Sequence, residues 1–479
     1  MPEYRMPGVY VEELTSLPPA VADLATAVPL FIGYTAQAGE QPGVPQRIRS
    51  LVEFEARFGK GAPCRIGKVE VDKAGRFLSA TIAMDYYLHD ALRLFYANGG
   101  GDCCVVSVGS FAASGQVDLD RLLGGLSALA SLPDATLLLV PDAAGLGDAA
   151  RGRLQQAMLA RCAEWPPRFA ILDLGRDDRS GAAFRQHVGS LNLRHGAAYA
   201  PWLAIHRENV VSYADLRDKL MRRGEPVSLR QLTDDPAVID LLARLAALFV
   251  APLRPGAEKE LARLECALVE RFPAYRSLVE GIAGAAAVCP PSGAIAGIYA
   301  RVDRERGVWK APANVVVNGI AGLLVDYTER EQEVLNSDTA VGKSINAIRQ
   351  FPGRGWLVWG TRTLAGNDAE WRYVSVRRFC NMIEVSIRQA AESFAFEPND
   401  GATWGRLRTM IDNYLTVKWR AGALPGQRPE DAFFVHCGLG QTMTAQDVAA
   451  GRLIFEIGLA LVRPAEFIVL RSMLQMSEN

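Results

Sequence analysis

The chain has 479 residues, 49% hydrophobic and 22% charged, a composition able to bury a large core at a length that suggests roughly three domains. Its 52 basic and 53 acidic side chains leave a formal net charge of −1, so no global field draws it to nucleic acid or an anionic membrane. Met1–Val11 carries prolines and a glutamate where a signal peptide would have a basic start and an apolar run. That predicts synthesis in the cytoplasm. The most apolar long stretch, Gly281–Ala300, is interrupted by Pro290, Pro291 and several glycines, which argues against a membrane span.

The eight cysteines stand at positions 64, 103, 104, 162, 266, 289, 380 and 437, with no C-x-x-C pair. Reduced thiols are the expectation. The five histidines are not spaced with them as zinc ligands, and no metal or cofactor is expected.

In chain order, residues 1–30 read as an arm. Gly8–Glu13 alternates like a short strand and Pro18-Pro19 stops it, so the strand needs a partner elsewhere. Residues 31–206 read as an α/β region. Val28–Tyr34 is a buried-strand candidate, Thr81–Tyr96 has helical apolar spacing, and Asn98–Gly101 is a glycine stop before a strand at Cys103–Val108. Strands are then predicted at Thr136–Val140, Phe169–Leu174 and Ala197–Ile205, with helices at Asp148–Trp165 and Ala182–Leu193 between them. That alternation implies a mostly parallel sheet with right-handed crossovers. Residues 207–284 are charge-rich and read as a helical insertion, and 285–462 as an α+β C-terminal domain. Residues 463–479 form a second arm, in which Ala465–Arg471 reads as a terminal strand. The fold class is α/β in the middle and α+β overall, multi-domain, with strand-like arms at both ends. Such strands either close a sheet within the molecule or join molecules by strand addition.

Familiar chemistry fits poorly. Gly342-Lys343-Ser344 ends like a phosphate loop, but Ser337 stands where the first glycine is required and Glu329–Leu335 reads as charged helix. Asp142, Asp173, His195, His206 and Ser292 are candidates for a hydrolytic site in the chain order Asp, His, Ser, yet Ser292 sits in PPSG with no nucleophile turn. Carboxylates after strands often only cap the next element. The basic residues Arg406, Arg408, Lys418 and Arg420 lie on a helical pattern and suit either a solvated face or an acidic protein surface.

From Val288 to Leu364 the sequence resembles the core of contractile tail sheath proteins of phages and related injection systems. The matching pieces are PPSGAIAG at Pro290–Gly297, GVWKAPAN at Gly307–Asn314, INAIR at Ile345–Arg349, and Gly353-Arg354-Gly355 leading to WGTRTL at Trp359–Leu364. Downstream, Trp371–Tyr373, Phe396–Asn399 (FEPN), Trp404, Trp419–Leu424 and the ending RPAEFIVLRSMLQ fit the same pattern, as do PGVYVEE and VPLFIGYT near the start. The resemblance does not extend to residues 60–78 or to the insertion, which are not matched to the common core. The resemblance implies a structural protein and no enzyme: a homo-oligomer of stacked hexameric rings that contracts around an inner tube. Its further partners would be baseplate and terminator or cap proteins, with sister sheath proteins an open question. It also implies that Val9, Tyr10, Val11, Phe467, Ile468, Val469 and Leu470 exchange strands between subunits, and that Arg406, Arg408, Lys418 and Arg420 face the tube.

Overall fold

The computed structural model describes residues 21–38, 42–207, 211–249, 257–338 and 342–466. The chain divides into two compact units, Thr26–Arg377 and a second made of Met1–Ala25 with Arg378–Asn479.

The larger unit is built on a nine-stranded sheet among the described residues. Its centre is parallel and runs Ile345–Phe351, Gly196–Ala200, Phe169–Asp173, Leu137–Leu139, Pro29–Thr35, Cys103–Ser110. Alternate residues of each strand feed opposite cores. Phe31, Leu137, Leu139, Phe169, Ile171 and Tyr199 lie in one, while Leu30, Ile32, Leu138, Leu172 and Ala198 lie in the other. A parallel sheet covered on both faces needs such continuous apolar strands, which is why VPLFIGY, TLLLV and FAILDL were legible.

Helices Leu88–Ala97 and Ser292–Arg306 cover the first face and pack on each other. Their contact depends on glycine. A Cβ on Gly293 would stand 2.2 Å from the Ala91 carbonyl oxygen, and one on Gly297 2.3 Å from that of Phe95. The PPSGAIAG motif is thus a close-approach surface between helices. Helix Leu88–Ala97 ends as expected, with Gly99 at φ +99° and the Gly100 amide donating to the Phe95 carbonyl.

Four expectations change. The helix predicted from Thr81 starts only at Leu88, because Phe77–Ala83 is a strand paired with Arg65–Val71; the spacing of Ile82 and Tyr86 fits both periods. The strand predicted over Ala197–Ile205 is two, broken at Pro201, which has no N–H for a ladder. Its second half, Leu203–His206, pairs instead with Ala286–Cys289 and Gly322–Leu323. The predicted helical insertion has helices at Pro236–Leu248, Ala257–Arg271 and Pro273–Ala283, but Leu220–Arg222 also pairs with Arg65–Val71. It shares its sheet with the otherwise unassigned residues 60–78. Finally, the division falls at 377/378 where a boundary at 284/285 was expected, because Ile345–Phe351 extends the central sheet beside Gly196–Ala200.

The smaller unit contains the helix Gly401–Arg420 and a hairpin of Phe433–Cys437 with Phe455–Leu459. Helix Val374–Ala391 contains the division point.

Candidate assembly surfaces

In the smaller unit, Phe433 pairs with Leu459, Val435 with Ile457 and Cys437 with Phe455 in an antiparallel ladder. This sheet has two strands among the described residues, so each strand keeps one edge of unpaired backbone groups. Phe433, Val435 and Cys437 are buried, and this strand packs on helix Gly401–Arg420. The alternate residue Phe434 is 46% exposed beside His436, and Phe455, Ile457 and Leu459 are only half-buried. A two-stranded sheet gains little on its own. Its geometry suits completion by further strands.

The chain before the large unit is anchored beside this sheet's supporting helix. Asp23 accepts from the Tyr414 hydroxyl at 2.7 Å and pairs with the Lys418 ammonium, while the Leu24 amide donates to Ser386 Oγ at 3.2 Å. The segments that lead to both termini, 21–25 and 460–466, therefore belong to the unit that carries the open hairpin.

Helix Gly401–Arg420 starts where Asp400 caps the amides of Ala402 and Thr403. Three of its four singled-out cations are exposed. Arg406 is paired with Glu397 at 2.7 Å and Arg408 with Asp412 at 3.6 Å, and Arg420 lies exposed in the last turn. Lys418 differs. It is only 6% exposed and turns inward to Asp23, so it is not available to an outside partner.

The turn preceding this helix carries the most exposed large apolar residue described. Phe396 is fully exposed and has φ +69°. Ala395 has φ −60° and ψ 135°, and the Glu397 amide donates to the Phe394 carbonyl at 3.2 Å. These are the features of a type II turn, with phenylalanine where glycine is normally required. A bulky residue there costs about 1–2 kcal/mol.

Of the hydrolytic candidates, the fold joins Ser292 to Asp173 but without a histidine. Ser292, fully buried, donates from its amide and from Oγ (2.5 Å) to Asp173, which thereby ties the end of a central strand to the start of helix Ser292–Arg306. Burial pushes the Asp173 carboxyl up to about 7. Asp142 accepts from the amides of Tyr34, Tyr87 and Leu88, bracing strand to helix, and burial pushes it up to about 6. His195 lies elsewhere, beside Arg194, its pKa held down to about 4 by burial and by Arg377 and Arg194. His206 is exposed at a strand end. Gly342-Lys343-Ser344 runs into the strand Ile345–Phe351, not a helix. Lys343 is buried and gives its ammonium to the Arg185 carbonyl, and Ser344 donates to the Asn336 carbonyl. All eight cysteines are free. Among the described residues no helix is long and apolar enough to cross a membrane.

Val9, Tyr10, Val11, Phe467, Ile468, Val469 and Leu470 lie outside the described residues. Sequence reasoning missed the hairpin itself. The alternation in Phe455–Leu459 was its sequence signal, while Phe434 breaks the same pattern in Phe433–Cys437.

Comparison with known proteins is consistent along the chain. Residues 268–364 match the model of the phage tail sheath protein central domain, and 367–475 that of the phage tail sheath C-terminal domain. A tail sheath protein of Vibrio phage KVP40 is 31% identical over 130 residues, covering 26% of this chain and 19% of the relative. That of Enterobacteria phage T4 is 27% identical over 126 residues, again 19% of the relative. The matched stretch thus spans about a fifth of these phage proteins. Solved structures match over nearly the full length. The anti-feeding prophage helical sheath in its contracted state is 30% identical, with a TM-score of 0.64 and coverage of 98% of this chain and 99% of that one. The PVC sheath complex, an extracellular contractile injection system in its contracted state, is 28% identical, with a TM-score of 0.63 and coverage of 99% and 98%.

Proposed function

The chain belongs to the contractile tail sheath family, and from that premise we propose that it is the polymerising, contracting subunit of an injection machine, mechanical and not catalytic. Copies stack as hexameric rings around an inner tube, joined at their ends to baseplate and terminator or cap proteins. The subunit is made in the cytoplasm and assembled into a tail or tail-like particle.

The observation that carries this reading is the hairpin, a sheet of two strands with open edges among the described residues, in the unit that holds both chain ends. Strand addition by the arms of neighbours, Val9–Val11 from one and Phe467–Leu470 from another, would satisfy those edges. Head-to-tail exchange of this kind generates rings or open helical polymers rather than closed dimers. Many linked contacts then make the lattice avid. Arg408 and Arg420 are the exposed cations left for an acidic tube surface; Arg406, held by Glu397, and Lys418, held by Asp23, drop out of that set. Contraction is rigid-body movement of packed units between two lattices, held by the arms, with the extended lattice kinetically trapped.

Electron microscopy of the full-length protein, alone and co-expressed with a tube protein, tests this. Hollow tubes or stacked six-fold rings are expected. Dispersed small particles in both preparations would overturn the reading.

A further inference from the structure

Phe396 is held out to solvent by a frame that spends backbone strain on its position. The turn is braced from three sides. Glu397 pairs with Arg406, the Trp404 indole donates to Asn399 at 2.7 Å, and Asn399 donates to the Arg452 carbonyl at 3.1 Å. Asp400, at the end of the same segment, caps helix Gly401–Arg420. A glycine at position 396 would relax the turn, and a polar residue would suit the solvent; the chain has neither. Strain maintained at a fully exposed aromatic ring points to a role outside the monomer, and a rigidly presented ring loses little freedom when a partner covers it.

The Asn399–Arg452 bond ties the turn to the segment that leads into the open-edged strand Phe455–Leu459. Two further apolar residues are exposed in that hairpin connection, Leu439 at 56% and Ile454 at 40%. We propose that Phe396 is a preformed apolar anchor by which one copy of this chain docks onto a second copy, beside the hairpin that receives the arms. The inference rests on the sheath reading and names a residue contact within it. A second copy is the occupant because the anchor adjoins the strand-exchange sheet. The charges flanking it, Glu397 and Arg406, already neutralise each other and leave no field to select a charged tube surface. Copies with a formal net charge of −1 do not repel strongly.

The test compares Phe396→Gly with the wild type and adds a photo-crosslinking benzoylphenylalanine at position 396 in the full chain. Phe396→Gly is expected to melt at the same or a higher temperature, because the turn is relaxed. Its critical concentration for tube formation should rise about tenfold or more, as for loss of a buried aromatic anchor. The crosslinker should yield dimers of this chain. Assembly of Phe396→Gly at the wild-type concentration overturns the proposal, as does crosslinking to the tube protein alone. Failure of the wild type to polymerise with or without the tube overturns the sheath reading first, and this inference with it.

Discussion

At the scale of single residues, the buried carboxylates give the chain an unusual pH response. Asp173 accepts two hydrogen bonds from Ser292, yet burial outweighs them and raises its pKa to about 7 in the folded state. A carboxyl whose folded pKa is raised contributes stability that is fully present below its unfolded pKa, about 3.9, and is lost as pH rises through the folded value. Between pH about 4 and 7 this group therefore lowers stability by up to about 1.4 kcal/mol per pH unit. Asp142, raised to about 6 by burial, acts in the same direction. Asp447 and Glu331, held down to about 2 chiefly by their bonds to Thr444 and Arg179, act oppositely and only at more acidic pH. Asp173→Asn keeps an acceptor for Ser292 but carries no titrating proton. Urea unfolding at pH 5 and pH 8 should show the variant gaining on the wild type as pH rises. A difference that stays constant with pH would refute the assignment. The same scale explains why Lys418 was misread: a helical pattern of cations tells nothing of Asp23, which lies far away in sequence.

At the scale of elements, legibility followed locality. The strands Pro29–Thr35, Cys103–Ser110 and Phe169–Asp173 were readable because burial on both faces writes an unbroken apolar run. The helix Gly401–Arg420 was readable from its period. The pairing of Leu220–Arg222 with Arg65–Val71 was not, since a three-residue strand has no period and its partner lies far off in the chain. The extension of the central sheet by Ile345–Phe351 was hidden because its partner, Gly196–Ala200, also lies far off in the chain. The glycines of PPSGAIAG carried the family resemblance, while their purpose became visible only in the packing of Ser292–Arg306 on Leu88–Ala97. Gly293→Ala and Gly297→Ala gain about 1 kcal/mol of helix propensity each but force a Cβ onto backbone carbonyl groups that cannot move alone. A net loss of about 1–2 kcal/mol each is expected, overpacking exceeding propensity. A lowered urea midpoint with unchanged m-value is the sign of it, and an unchanged midpoint would mean the two helices separate freely.

At the scale of the whole molecule, the two units divide the labour. Thr26–Arg377 buries its sheet on both faces, whereas the other unit carries a sheet that has two strands among the described residues. A subunit that both donates an arm and accepts one behaves differently from a donor or an acceptor alone. Under the proposed exchange, a chain without residues 1–14 keeps its hairpin and can accept an arm but cannot donate one from its N-terminus. It should fold, fail to polymerise by itself, and shorten the tubes of full-length protein when mixed in at sub-stoichiometric amounts, because each incorporated copy interrupts a link in the mesh. A monomer that folds its own N-terminal strand onto its own sheet predicts the opposite on both counts: the truncated chain loses stability, and being unable to join a lattice, it leaves tube length unchanged. Tube-length distributions by negative-stain microscopy, read beside the melting temperature of the truncated chain, separate exchange between subunits from closure within one.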